Sequence, residues 1–397
     1  MNPNRLVAFL EKPASQFTKA DILRVIEEFG IEMVNFRYMA NDGKLKTLNF
    51  VINSYDHIDE VLTSGERVDG SSLFPFCEAG NSDLYVIPRF RTAFIDPFAA
   101  IPTLNILCNY YTKDGEPFPM APEYTLAKAG NAFRKVTGGM EFEVMGELEY
   151  YVIAPKDDLY LTPDQKGYHA STPYCKFENY RTEAMQLIAA CGGLIKYGHS
   201  EVGNFSVGDT MYEQNEIEFL PTTLEDAADQ LVIAKWLMRT LAHQYGITVT
   251  FAPKITVGKA GSGMHVHCKF TKDGKTATVR GGELTDEARK AIAGFMAAIQ
   301  TNVCGKQYLD NTQNETAAIR AYTTTNVNLQ YKIPMPDKAP AIRLLCQINN
   351  IFNSKYASNG GSDMGYIKQA DGSLKGAWPW YMAQAGINVH AGFVVDF

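Results

Sequence analysis

The stretch Gly146-Glu147-Leu148-Glu149-Tyr150-Tyr151-Val152 decides the architecture. Its polar and apolar residues alternate, so it reads as a strand, with Glu147 and Glu149 on one face and Leu148 and Tyr150 on the other. Adjacent like charges are costly unless a cation or water neutralises them, and an isolated pair is more often a solvated strand face than a site. Two further stretches repeat the theme. His199-Ser200-Glu201-Val202 precedes Glu213-Gln214-Asn215-Glu216-Ile217-Glu218-Phe219, and a glycine-rich turn, Ala260-Gly261-Ser262-Gly263-Met264, leads into His265-Val266-His267. A lone His-x-His is weak evidence. Three strands that each offer carboxylate or imidazole groups on one face converge on a shared concavity if they are neighbours. Oxygen-rich ligation with one histidine suits Mg2+ or Mn2+ better than zinc, and two such ions can clamp the phosphate oxygens of ATP.

Nearer the N-terminus, Thr18-x-x-Asp21 is a capping box for a helix carrying Ile22, Val25, Ile26 and Phe29, with Gly30 as its stop. A hairpin through Asn41-Asp42-Gly43 follows, joining Val34–Tyr38 to Lys46–Ile52. Asp69-Gly70-Ser71-Ser72 and the proline-rich segment up to Pro102 read as loops and short strands. Beyond Leu104 come longer strands and helices, among them one opened by Thr222-x-x-Glu225 and ended by Gly246, followed by strand character from Ile247 to Val257. Strands and helices without a βαβ rhythm argue for an α+β chain. Its expected domains are residues 1–103 and 104–397, with 302–397 atypical or incomplete.

Composition sets the outer bounds. With 46% hydrophobic residues in 397, the chain has ample material for a core, and a net charge of −7 disfavours nucleic acid or an anionic membrane as partner. Seven cysteines without a Cys-x-x-Cys pair argue against structural zinc and a disulfide framework. No stretch reads as a signal peptide or membrane span, so a reducing, cytoplasmic setting is expected.

The ordered motifs resemble the glutamine synthetase family: Val68-Asp69-Gly70-Ser71-Ser72, Gly146-Glu147-Leu148-Glu149-Tyr150, His199-Ser200-Glu201-Val202, Gln214-Asn215-Glu216-Ile217, Phe251-Ala252-Pro253-Lys254 and Gly261-Ser262-Gly263-Met264-His265-Val266-His267. The resemblance covers about residues 20–300. It implies a β-grasp-like N-terminal domain and a larger catalytic domain whose curved antiparallel sheet carries the ligands. It also implies ATP and Mg2+ or Mn2+ as cofactors, glutamate and ammonia as substrates, and a ring-shaped homo-oligomer with sites between subunits. On this resemblance Glu147 and His265 hold one ion near the ATP phosphates, and Glu149, Glu201 and Glu216 hold the other near the substrate. His267 contacts the nucleotide, Gly261 belongs to the loop that touches glutamate, and Asp69 reaches a neighbouring subunit's site to bind and deprotonate ammonium.

Past residue 300 the pattern departs. Asn314-Glu315 aligns with the family's catalytic glutamate loop, and Arg343 is the one matching arginine. Leu309, Val327 and Lys332 stand where arginines are expected, and Ala341 where a metal-binding glutamate is. Ala260 replaces an asparagine, Lys269 replaces a serine, and Asn204–Tyr212 reads as an insertion between two metal ligands. Residues 302–397 contain ten asparagines, one glutamate and two arginines. In that tail Leu344, Leu345, Ile348 and Phe352 have helical spacing, and Trp378 and Trp380 are expected to bury. Losing planar bidentate donors is not conservative. Two readings therefore stand: a ligase forming glutamine through a γ-glutamyl phosphate, or a catalytically weak or inactive relative that binds nucleotide or acts as a regulatory ring subunit. A metal-dependent hydrolase built on His265 and His267 is a poorer third, since it lacks further nitrogen ligands in a motif.

Overall fold

The computed structural model describes residues 2–75, 77, 82–296, 299–304, 307–308, 318–333, 341–362, 367–368, 374–375, 379–384 and 386–396. They form two compact units, 1–278 and 279–397.

The first unit opens with helices α1 (Arg5–Leu10) and α2 (Lys19–Glu28). Thr18 and Asp21 close the α2 capping box from both sides, as read from the sequence. Strands β1 (Met33–Met39) and β2 (Leu45–Val51) form the hairpin, and Gly43 takes φ +69° at the turn, where a side chain would be strained. Helix α3 (Tyr55–Ser64), strand β3 (Glu66–Asp69), the single turn α4 (Gly70–Leu73), and strands β4 (Asp83–Pro88), β5 (Phe94–Ile95) and β6 (Thr103–Thr112) complete the first layer. The sheet order is β2-β1-β6-β4-β3, with β5 also on β6 and the central β1–β6 pair parallel. Val34, Phe36, Val86, Leu104 and Ile106 bury against Ile22, Val25, Ile58 and Leu62 of α2 and α3, each such side chain contributing about 1.5–3 kcal/mol. This is a β-grasp arrangement.

The second layer contains α5 (Pro122–Val136), β7 (Glu141–Pro155), α6 (Glu178–Ala190), β8 (Ile195–Val207), β9 (Thr210–Phe219), β10 (Thr222–Thr223), α7 (Leu224–Gln244), β11 (Thr248–Thr250), β12 (Met264–Lys272) and β13 (Lys275–Thr276). Its antiparallel sheet runs β13-β12-β7-β9-β8, with β10 and β11 also on β7. Leu148, Tyr150, Val152, Ile217 and Phe219 point to one side, where Tyr180, Ala184 and Ile188 of α6 and Ala234, Leu237, Met238 and Leu241 of α7 cover them. The opposite side of the same strands is free to carry charge.

Two boundaries differ from the sequence reading. Thr223, not Thr222, caps α7 through Asp226, because both threonines are still paired in extended form with Val144 and Glu143 of β7. Between Ile247 and Val257 only Thr248–Thr250 is strand, since only these three residues find partners on β7. The stretch Asn204–Tyr212, read as an insertion between two metal ligands, forms the tip of the β8–β9 hairpin, where Val207 pairs with Thr210.

In the second unit a helix, Asp286–Met296, accompanies a four-stranded antiparallel sheet in the order Ile299–Cys304, Tyr322–Ile333, Ala341–Asn349, Asn388–Asp396. Here the helical spacing of Leu344, Leu345 and Ile348 misleads. Their segment is a strand paired on both edges, and these cross-strand pairs override the local spacing. Phe352 follows in a turn and is exposed. Glu315, Leu309 and Trp378 lie outside the described residues, as does the side chain of Trp380. Arg343 and Lys332 face each other in register, as backbone positions.

Within the first unit, α7 is joined to the β-grasp sheet by ion pairs. Arg89 holds Asp229 with two hydrogen bonds of 2.6 and 2.8 Å, and Arg91 adds a third to Asp229 at 2.9 Å and one to Asp226. Arg37 lies over the Trp236 ring, 4.4 Å from its centroid. Asp229→Ala is expected to destabilise the protein by about 3–5 kcal/mol, because it strands the Arg89 charge in a largely buried site. The double substitution Arg89→Met/Asp229→Leu should recover most of that loss, as read from urea unfolding midpoints.

Candidate functional site

Strand β7 lies at the centre of the site because it pairs with β12 on one edge and β9 on the other. The registers are explicit: His265 stands opposite Glu147, Glu147 opposite Glu218 and Glu149 opposite Glu216. On the next strand His199 stands opposite Glu216 and Tyr197 opposite Glu218. Period two then puts four carboxylates and three imidazoles on one face. Glu201 arrives differently. The β8–β9 register jumps between Ser200 and Asn204, so Glu201, Val202 and Gly203 form a bulge that re-aims the chain. Gly203 belongs there because an added Cβ would collide with the Tyr151 hydroxyl and Gln214.

Of these, Glu147, His199, Glu201, Glu216 and Glu218 line an open cleft of about 570 Å³ that also includes Tyr168, His169 and Tyr197. Glu147 bridges the two histidines of β12, with Oε2 at 2.9 Å from His265 Nδ1 and Oε1 at 2.5 Å from His267 Nε2. Among the described residues, two groups have donor atoms close enough to share an ion: His199, Glu201 and Glu216, and Glu147, Glu216 and Glu218. Gln214 ties the glycine-rich turn to the carboxylates. Its amide donates to Glu149 Oε2 and to the Gly261 carbonyl, both at 2.8 Å. The Tyr151 hydroxyl donates to the Ala260 carbonyl at 2.9 Å.

The electrostatics follow from burial and crowding. Glu216, whose side chain is 8% exposed, is pushed up to about 8 by burial and by the charges of Glu149, Glu147, Glu201 and Glu218. Burial also raises Glu149, against the lowering effect of a hydrogen bond from the Gly263 amide. Glu218 goes the other way: although burial opposes it, hydrogen bonds from Lys196 and Tyr197 hold it below the usual carboxylate range. The face therefore holds more negative charge than its own residues can balance. Oxygen donors crowded in this way, with imidazoles at the edge, fit divalent cations.

The structure brings together Glu147, Glu149, Glu201, Glu216, His265 and His267, and sets the Gly261 turn beside them. It places Asp69 elsewhere, as the cap of α4 on the other sheet. Its carboxylate accepts hydrogen bonds from the hydroxyls of Ser71 and Ser72, both at 2.7 Å, and these with Ser82 hold it well below the usual range. Lys269 pairs with Glu143 at 2.8 Å. Glu315 lies outside the described residues, and Arg343 is described only as a strand position. Three contributors lie inside the quoted motifs but had no site role in the sequence reading. Glu218 was detectable from its spacing of two from Glu216, and His199 from its spacing of two from Glu201. Gln214, two residues before Glu216 on the same strand face, is held by the bulge opposite it, where the Gly203 amide donates to its side-chain oxygen.

Comparison with known proteins adds to this geometry. The family model for the glutamine synthetase β-grasp domain matches residues 30–113, and that for the glutamine synthetase catalytic domain matches residues 120–305. A 3-hydroxylaminophenol mutase of Cupriavidus pinatubonensis is 30% identical over 64% of this chain and 59% of its own length. A glutamine synthetase of Microchaete diplosiphon is 28% identical over 83% of this chain and 76% of its own. Among solved structures, a Plasmodium falciparum glutamine synthetase superposes with a TM-score of 0.62 at 19% identity, covering 72% of this chain and 60% of that one. The chain thus spans about three-fifths of the mutase and of the solved enzyme.

A carboxylate whose folded pKa lies above its unfolded one weakens folding as pH rises from about 4.5 towards about 8. Glu216→Gln mimics the protonated form and should raise the metal-free stability at pH 8 by about 2 kcal/mol, roughly half of one such repulsion. The same variant should lose most of the rise in melting temperature that Mn2+ gives the parent protein.

Proposed function

From the premise that the chain belongs to the glutamine synthetase family, we propose that it is an ATP-dependent carboxylate–amine ligase that forms glutamine from glutamate and ammonia. One observation carries the reading: Glu147, Glu149, Glu216 and His265 share one face of a single sheet, the bulge brings Glu201 beside Glu216, and Gln214 ties a glycine-rich turn to Glu149. A carboxylate is a poor electrophile, so ATP must first convert it to an acyl phosphate. Ammonia then displaces phosphate from the γ-glutamyl phosphate. Two divalent ions, Mg2+ or Mn2+, would supply the charge neutralisation that phosphoryl transfer to a carboxylate requires.

The chain's own residues have separable tasks in this reading. Glu147 and His265 would hold the ion at the nucleotide phosphates, with His267 beside the nucleotide. Glu149, Glu201 and Glu216 would hold the ion at the substrate. Gln214 fixes the Gly261 turn against Glu149, so the loop that would seat glutamate is locked in place relative to the ligands. Asp69 would serve a neighbouring subunit in a ring-shaped homo-oligomer, and Glu315 and Arg343 would act from the C-terminal part. A cytoplasmic setting suits an ATP-dependent enzyme with free cysteines at 77, 108, 175, 191, 268 and 346. Among the described residues no helix is long and apolar enough to cross a membrane.

One observation favours a second reading. Residues 302–397 contain only two arginines, Arg320 and Arg343, where planar donors would stabilise developing phosphoryl charge. A nucleotide-binding or regulatory ring subunit would need no such donors. The experiment is direct: purified protein with ATP, glutamate, ammonia and Mg2+ or Mn2+, followed for phosphate and glutamine. Turnover should appear, and Glu147→Ala should reduce it by about 100-fold or more. Folded protein that binds ATP but releases no phosphate with ammonia or any other amine favours the second reading and ends the first.

A further inference from the structure

His199 stands opposite Glu216, just before the bulge that aims Glu201. Its ring is held among Tyr168, His169 and Tyr197. Nδ1 lies 3.1 Å from the Ser200 carbonyl oxygen and 3.7 Å from Glu201 Oε1. Both are acceptors, so the proton of a neutral ring belongs on Nδ1, and Nε2 carries the lone pair. Nε2 in turn faces Glu216 Oε2 at 3.3 Å. That contact is made either by a proton shared between the two groups or by a cation that both ligate.

A backbone carbonyl that takes the Nδ1 proton and leaves Nε2 bare is the usual way a protein orients an imidazole towards a metal. The spacing of Nε2 from Glu216 also fits, and one donor atom each from His199, Glu201 and Glu216 lies within 4.8 Å of the others. In an octahedron with bonds of about 2.1 Å, neighbouring donors stand about 3 Å apart.

We propose that His199 ligates, through Nε2, the divalent ion held by Glu201 and Glu216, and that this nitrogen donor makes the site favour a first-row transition ion over Mg2+. The inference rests on reading the carboxylate face as a metal site, as above, and adds a ligand and a selectivity to it. Mg2+ is hard and keeps water and oxygen around it. Imidazole strengthens binding of transition ions by comparison. Substituting an oxygen or amide donor for His199 therefore narrows the gap between the two kinds of ion.

The test uses metal-stripped full-length protein without ATP or glutamate, titrated calorimetrically with Mn2+ and separately with Mg2+. Both His199→Asn and His199→Gln should weaken Mn2+ binding by about tenfold or more while changing Mg2+ binding by less than about threefold. Melting curves show that each variant is folded. Pulsed electron paramagnetic resonance of the Mn2+-loaded protein supplies a second readout. Nitrogen coupling should survive in His265→Asn and vanish in His199→Asn/His265→Asn. Equal weakening of both ions, unchanged Mn2+ affinity in folded variants, coupling lost in His265→Asn alone, or a parent protein that binds no Mn2+ each overturns the inference. A chain that forms glutamine without dependence of metal choice on His199 loses only this inference. A chain that selects Mn2+ through His199 yet never releases phosphate loses only the ligase reading.

Discussion

Repulsion among carboxylates on one face of β7 and β9 is the constraint that the rest of the first unit is arranged to bear. Glu147, Glu149, Glu216 and Glu218 stand in two adjacent rows of directly opposed pairs, and like charges directly opposite each other destabilise a sheet. No rearrangement within the strands relieves this, because the period that aligns the charges also aligns Leu148, Tyr150, Ile217 and Phe219 on the reverse side. Rotating the charges away would put these apolar side chains into water. Apolar burial under the sheet thus holds the charges above it in place.

Helix α7 links that arrangement to the β-grasp sheet. Its Ala234, Leu237, Met238 and Leu241 lie beneath the charged strands, while Asp226 and Asp229 near its start receive Arg89 and Arg91. The β-grasp layer is therefore fastened to the same rod that supports the ligands. Lys196 and Tyr197 relieve Glu218 from the far edge, leaving Glu216 as the residue on which the strain concentrates.

Much of the site could be read from the sequence because its logic is local. Alternation in 147–149, in 216–218 and in 265–267 is visible in any strand, and caps such as Thr18 with Asp21 involve neighbours a few residues apart. What could not be read depends on partners distant in the chain. The Ser200–Asn204 bulge, which aims Glu201 and makes room for Gln214, exists only against β9. The pairing of Arg89 with Asp229 spans 140 residues. In the tail the apolar spacing of Leu344, Leu345 and Ile348 imitates a helix, and only the strands on either side, themselves distant in sequence, decide otherwise. The order of motifs identified the family where single motifs did not, since each one alone fits an ordinary solvated strand.

The two-faced character of β7 also limits how this protein can change over evolutionary time. Point substitutions explore the charged face and the apolar face independently, one residue at a time. A one-residue deletion or duplication between Glu141 and Glu147 does something else: it turns every later side chain of the strand over, driving carboxylates into the hydrophobic layer and leucine and tyrosine into the cleft. Length change is therefore tolerable only in hairpin tips such as that around Asp209, and lineages of this fold should diverge in loop length while keeping the residue count within β7 constant.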